Sequence, residues 1–190
     1  MRLYLVRHGE TDWNMRDLMQ GWSDIPLNST GLAQAEFLRS IIAKYGLEFN
    51  AIYSSPLQRT RKTAEIMAGT DQQVIIEPRL LERGDGEFEG RPCSLFFDSP
   101  INFLDPDLNS SAYGVEPILD FSYRISTFLT EVSYSYPDDA RLLIVASNGV
   151  MKRTHILITG KYNPPNFKNA MIYEYELSQN TEFAVKIPPK

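Results

Sequence analysis

The sequence predicts an α/β fold, a three-layer sandwich with a mostly parallel central sheet and helices on both faces. Three observations lead there. Short runs of strand formers alternate with longer stretches of helical apolar spacing, the pattern of strands joined by helical crossovers. Gly, Pro, Asn and Asp gather between those runs and punctuate them. The chain has 190 residues, 43% hydrophobic and 12% aromatic, enough to bury a sizeable core.

The elements follow in order. "RLYLVR" (2–7) is a short apolar run suited to a first strand. Residues 7–30 lack periodicity and are rich in Gly, Asp and Asn, which reads as a long ordered loop of the kind that carries function. A helix begins near Ser29, with Leu32, Ala35, Leu38, Ile41, Ile42 and Tyr45 at helical spacing, and Gly46 stops it. "AIYSS" (51–55) is a second strand, and Pro56 is expected in the first turn of a helix that closes at Gly69. "QVIIEP" (73–78) is a third strand. From Gly84 to Pro117 the pattern dissolves, yet Phe96, Phe97, Phe103 and Tyr113 make it too aromatic for a linker. Its part 91–115 is expected to be a lid that sets the substrate. Helix returns over 118–134, strand over 141–146 and helix over 150–159, ended by Gly160. "AMIYEYEL" (170–177) and "EFAVKI" (182–187) are two further candidate strands. No repeat or low-complexity segment divides the chain, so residues 1–190 are expected to form one domain.

Composition excludes several classes. No apolar run is long enough to span a bilayer. "MRLYLVRHGE" meets charge too soon for a signal peptide. A single cysteine, Cys93, rules out an internal disulfide and makes a reducing cytoplasm the expected compartment. A net charge of −5 argues against a general nucleic-acid binder. It still admits a small anionic substrate, because a few arginines in a pocket can outweigh the global charge.

In a sheet of this kind, ligands bind beyond the carboxyl ends of the strands. The first strand ends in Arg7-His8-Gly9. The second leads to Arg59, and "RLLIVA" ends at Ser147-Asn148-Gly149. If these strands are neighbours, Arg7, His8, Arg59 and Asn148 meet in one crevice. Guanidiniums match phosphate oxygens with forked donors, and a neutral imidazole can attack phosphorus. Spacing alone leaves plainer readings open. His8 could be a hydrogen-bonded structural residue, and Arg59, Arg61 and Lys62 a solvated helix face.

The literal strings go further. "LVRHGETDWN", "QGWSDIPLNSTGLAQA", "IYSSPLQRTRKTAEIM" and "LLERGDGEFEG", in that order, closely resemble the histidine phosphatase superfamily, the phosphoglycerate mutase-like group. The resemblance covers nearly the whole chain and is weakest between 91 and 115. It implies that His8 becomes phosphorylated, that Arg7 and Arg59 bind phosphate, that Asn14 contacts it, and that Glu82 protonates the leaving oxygen. It also places Gly21, Ser23, Asn148 and Gly149 at the phosphate or substrate. Gly9 is expected to let the backbone approach the phosphate. Glu10 and Glu89 are explained as solvated loop residues, and His155 as a helix-surface or packing residue.

The departure is Asn148. Family members carry a second histidine there, within "S-H-G", and this chain has "SNG". Asn148 could be an ordinary turn residue, a position drifted toward low activity, or a substitution made to trap a complex. Its amide can donate a hydrogen bond but brings no positive charge. The reading that follows is a phosphomonoesterase working through phosphohistidine, with reduced activity. The alternatives are an impaired phospholigand-binding or regulatory protein, and a phosphoglycerate mutase-type phosphotransferase. No metal and no cofactor are expected. The expected partner is a phosphorylated small molecule, with no nucleic acid and no membrane, and oligomeric state is left open.

Overall fold

The computed structural model describes residues 1–70, 72–98, 110–183 and 185. Five strands form one sheet: β1 (Arg2–Arg7), β2 (Ala51–Ser54), β3 (Val74–Ile76), β4 (Arg141–Ala146) and β5 (Ile172–Glu176). Their order is β3-β2-β4-β1-β5. The first four run parallel, and β5 lies antiparallel against β1. The expected α/β sandwich with a mostly parallel sheet is therefore the observed fold.

Strand periodicity explains the layers. In β1, Leu3 and Leu5 face one side while Tyr4 and Val6 face the other, and in β4 Leu142 and Ile144 oppose Leu143 and Val145. The first side packs on helices α5 (Ile118–Ser135) and α6 (Asn148–Thr159), through Phe121, Ile125, Phe128, Leu129, Val150 and Met151. The second packs on α2 (Ser29–Tyr45) and α3 (Gln58–Ala68), through Leu38, Ala64 and Met67. Both faces of β4 are covered, so its run is apolar without alternation. Each such buried aliphatic or aromatic side chain contributes about 1.5–3 kcal/mol.

Several boundaries differ from expectation. The long loop contains a short helix, α1 (Asp12–Met15), held by a reciprocal cap between Thr11 and Asn14. Pro56 precedes α3, whose N-cap is Leu57, so it fixes the entry to the helix and not its first turn. Asn148 is the first residue of α6 and Ser147 its N-cap, so Asn148 lies in the helix and is not a turn residue. In 182–187 the described residues 182, 183 and 185 form no strand, and 184, 186 and 187 lie outside the described residues. Of the expected lid, residues 99–109 with Phe103, and the side chains of Phe96 and Phe97, also lie outside them. Its described ends are tied down. Helix α4 (Cys93–Phe97) starts where Cys93 N–H donates to Asp17 O, and Val115 bridges Asp85. Among the described residues, no helix is long and apolar enough to cross a membrane.

Candidate active site

The carboxyl ends of β2, β4 and β1 lie side by side, which brings the expected residues together. Arg7 is in register with Ala146, and His8 N–H donates to Ala146 O at 3.1 Å. His8 is 2% exposed. Its Nδ1 is 2.7 Å from Gly9 O. A carbonyl can only accept, so Nδ1 carries the proton and Nε2 keeps its lone pair. Burial, Arg59 and Arg7 together hold the imidazole well below its ordinary pKa, so His8 is neutral at physiological pH. A neutral imidazole with a free Nε2 is the form that can attack phosphorus.

Two guanidiniums flank it. Arg7 Nη1 donates to Phe167 O at 2.8 Å. Arg59, on the first turn of α3, is 1% exposed. It donates through Nη1 to Ser23 O at 2.7 Å and through Nη2 to Gly21 O at 2.8 Å. The Nε donors of both arginines are buried and have no acceptor among the described residues. Unmet charged donors beside a neutral nucleophile suit an anion with several acceptor oxygens. Arg59 is thus no part of a solvated helix face, while Arg61 is exposed and pairs with Glu65.

Glu82 stands opposite. Its Oε1 accepts Arg83 N–H at 2.8 Å and its Oε2 accepts Gly149 N–H at 2.9 Å. The Glu82 carbonyl is held by Trp22 Nε1 at 2.8 Å and Arg124 Nη2 at 2.9 Å. Gly149, expected at the phosphate, holds Glu82 through its N–H. A Cβ at Gly149 would collide with that carboxylate, so glycine makes room for it.

Four other expected positions also have partners within the protein. Gly21 and Ser23 turn their carbonyls to Arg59, and the Ser23 hydroxyl donates to Glu89 at 2.6 Å. Both therefore position Arg59, and the serine hydroxyl is not offered to a phosphate. Gly9 lacks a side chain because Gly31 backbone packs against it. Asn14 uses Oδ1 locally, accepting from Thr11 N–H at 3.2 Å and from Asn169 Nδ2 at 3.3 Å. That leaves its amide nitrogen as the group to offer an anion.

Sequence reading missed two site residues. Glu89 accepts from Trp22 N–H and Ser23 N–H, both at 2.9 Å, and from Asp85 N–H at 3.2 Å, so it clamps the loop that holds Arg59. Asn169 donates to His8 O at 2.8 Å. The only prior signal for Glu89 was its place in the "GEFEG" string, and nothing marked Asn169. As expected, His155 is a packing residue: its Nδ1 pairs with Tyr175 OH at 2.9 Å, and its ring sits edge-on to Phe167. Asn148 Oδ1 is buried without a donor partner. That orphaned acceptor marks the place where the side chain is least adapted to its surroundings.

A buried acid adjoins these groups. Asp85 is 7% exposed, and burial with the nearby carboxylates Glu82 and Glu89 pushes its carboxyl up to about 8, against the opposing Arg83. An unfolded aspartate titrates near 4, so between about pH 4 and 8 the folded state binds the extra proton. Stability contributed here is full below that window and is lost as pH rises through it. Asp85→Asn should therefore gain at least about 1 kcal/mol relative to the parent between pH 5 and 8. Urea unfolding at the two pH values reads this, and parallel shifts in both proteins would contradict it.

Comparison with known proteins decides the family. Residues 3–186 match the model of the histidine phosphatase superfamily, branch 1. The chain belongs to this superfamily. It is 32% identical to the uncharacterized phosphatase PhoE of Bacillus subtilis over 181 residues, 95% of this chain and 87% of that one. A 2,3-bisphosphoglycerate-dependent phosphoglycerate mutase of Azorhizobium caulinodans is 28% identical over 171 residues, covering 85% and 82%. Among solved structures, the mycobacterial glucosyl-3-phosphoglycerate phosphatase complexed with VO3 superposes with a TM-score of 0.77 at 26% identity, over 91% of each chain. Within this histidine phosphatase, the four quoted strings map to the strand ends and loops described above.

Proposed function

We propose that the protein is a phosphomonoesterase acting on a small phosphorylated molecule through a phosphohistidine at His8. The observation that carries this is the buried, neutral His8 with Nδ1 tied to Gly9 O, between two guanidiniums whose Nε donors have no acceptor among the described residues. His8 Nε2 attacks phosphorus, the N–P bond forms and the ester P–O bond breaks. Glu82 gives its proton to the leaving oxygen. Water then attacks phosphorus, the N–P bond breaks, and the Glu82 carboxylate takes the proton of that water. Arg7, Arg59 and the amide of Asn14 hold the phosphoryl oxygens throughout. Asn148 stands where charge on the transferring group calls for a cation, which lowers turnover more than binding.

Hydrolysis is favoured over phosphoryl return by one feature. Residues 92–123 contain no Lys or Arg, so this segment of the sequence offers no basic cluster for a second phosphate. A mutase outcome has the support of the mutase relative. A purely phospholigand-binding role would leave the precise double seating of Glu82 without a use. The phosphoryl charge is met by guanidiniums, and among the described residues no three His, Cys, Asp or Glu side chains cluster to hold a metal. The reading is accordingly metal-free. Cys93, whose thiol burial pushes up to about 11, is a weak nucleophile.

Single-turnover mixing with a 32P-labelled phosphomonoester tests this. Label should appear on His8, acid-labile and base-stable, and then pass to inorganic phosphate at a rate that chelator does not change. Product formed without labelled enzyme would refute the phosphohistidine. Activity lost to chelator and restored by a divalent metal would refute the metal-free route.

A further inference from the structure

One buried hydroxyl at the site has no partner. Ser147 is 2% exposed, and among the described residues its Oγ makes no hydrogen bond. Ser147 is the N-cap of α6, a position where a serine oxygen ordinarily accepts from the second or third N–H of the helix. Here the side chain does not cap. The second N–H, that of Gly149, goes to Glu82 Oε2 at 2.9 Å. The hydroxyl is left over, and a buried hydroxyl without a partner lowers stability unless a ligand completes it.

The sheet sets that hydroxyl beside His8. Arg7 is in register with Ala146, and the bond from His8 N–H to Ala146 O carries the ladder one residue further. His8 and Ser147 thus stand on adjacent strands, about 4.8 Å apart. Val6 and Val145 face α2 and α3. The backbone of Ser147 is still extended, with φ −92° and ψ 168°, so strand alternation turns its side chain to that same face. His8, two residues after Val6, turns the same way. Arg59 comes from α3 on that face, and α3 also meets the chain just after His8, where Gly9 N–H donates to Thr63 Oγ1 at 3.0 Å.

We propose that the Ser147 hydroxyl is a further catalytic residue, donating a hydrogen bond to an oxygen of the phosphoryl group as His8 takes that group up and releases it. This rests on the reading of His8 as phosphoryl acceptor. A dianionic phosphoryl group offers only acceptors, so the hydroxyl can only donate to it. Three donors, Ser147 Oγ and the Nε groups of Arg7 and Arg59, are then completed by one anion. The hydroxyl also brings a donor next to Asn148, the position that offers no charge. A neutral donor held in place before the reaction stabilises the transferring group without reorganisation. A hydroxyl kept for the fold would be bonded within it, and this one is not.

The test is Ser147→Ala, which removes the hydroxyl and little else. Its affinity for vanadate should fall about tenfold, the loss expected for one hydrogen bond to a charged group. Its kcat/KM on p-nitrophenyl phosphate should fall about tenfold or more. Its urea midpoint without vanadate should stay at the parent's level or rise, since no bond within the protein is lost. Weaker vanadate binding with an undiminished midpoint upholds the assignment. Parent-level vanadate affinity or parent-level kcat/KM overturns it. A lower midpoint without vanadate, up to failure to fold, overturns it too, because the hydroxyl then serves the fold. If no label reaches His8 in the parent, the phosphohistidine reading fails by itself. The vanadate titration needs no turnover, and it then decides the hydroxyl alone.

Discussion

Asn148→His should raise phosphatase turnover by at least about tenfold and up to about a hundredfold, the scale of one transition-state donor. Asn148 opens α6 directly beyond β4, beside the strand that leads into His8, and its Oδ1 is buried without a donor among the described residues. On the proposed mechanism, an acceptor in that position would meet the oxygens of the transferring phosphoryl group with the wrong sign. A histidine would bring N–H donors and a positive charge to the same point. Affinity for inorganic phosphate should change much less, because Arg7, Arg59 and Asn14 remain. His8→Ala in the Asn148→His background should abolish the gain, because the added group only assists a transfer that needs His8 as acceptor. Steady-state kinetics on several phosphomonoesters measure this. A folded, phosphate-binding Asn148→His protein that turns over no faster would sink the assignment.

Arg59→Ala should weaken binding of vanadate or phosphate by about thirtyfold or more, since truncating a buried charged partner typically costs about 2 kcal/mol upward. The change also reaches the fold. Arg59 is 1% exposed and its two Nη groups hold Ser23 O and Gly21 O, so the variant also leaves two loop carbonyls without their donor. A stability loss of about 1–3 kcal/mol should accompany the binding loss. Arg59→Lys keeps the charge without the fork, and separates the two effects: it should recover more stability than affinity. Isothermal titration with vanadate, alongside urea unfolding, reads both quantities. An affinity within about twofold of the parent in Arg59→Ala would show that the guanidinium serves the loop alone.

Much of this site was legible because its chemistry is carried by short strings at element ends. "RHG" closes β1, and "SPLQR" leads from β2 into α3. A strand end is a local event, fixed by where an apolar run meets Gly, Pro or a polar residue. The same locality sets what a string leaves out. Gly9, Gly21, Ser23 and Gly149 were placed near the phosphate because they sit in the right strings. Their contacts prove to be with Gly31, Arg59, Glu89 and Glu82, partners between 22 and 67 residues away in the chain. A string records that a small residue is required, and not which atom requires the space.

The sequence by itself determined the alternation of strands and helices, the extent of β4 to the residue, the α/β class, the candidate nucleophile and the departure at position 148. All of these depend on apolar period, on turn residues or on literal motifs, which are properties of neighbouring residues. Tertiary structure alone decided that Glu89 clamps the loop under Arg59, that Asn169 holds the His8 carbonyl, and that Asp85 is a buried acid. Hydrogen bonds and desolvation depend on what surrounds an atom in space. Those surroundings came from segments as far apart as His8 and Asn169, which only the closing of β5 against β1 brings together.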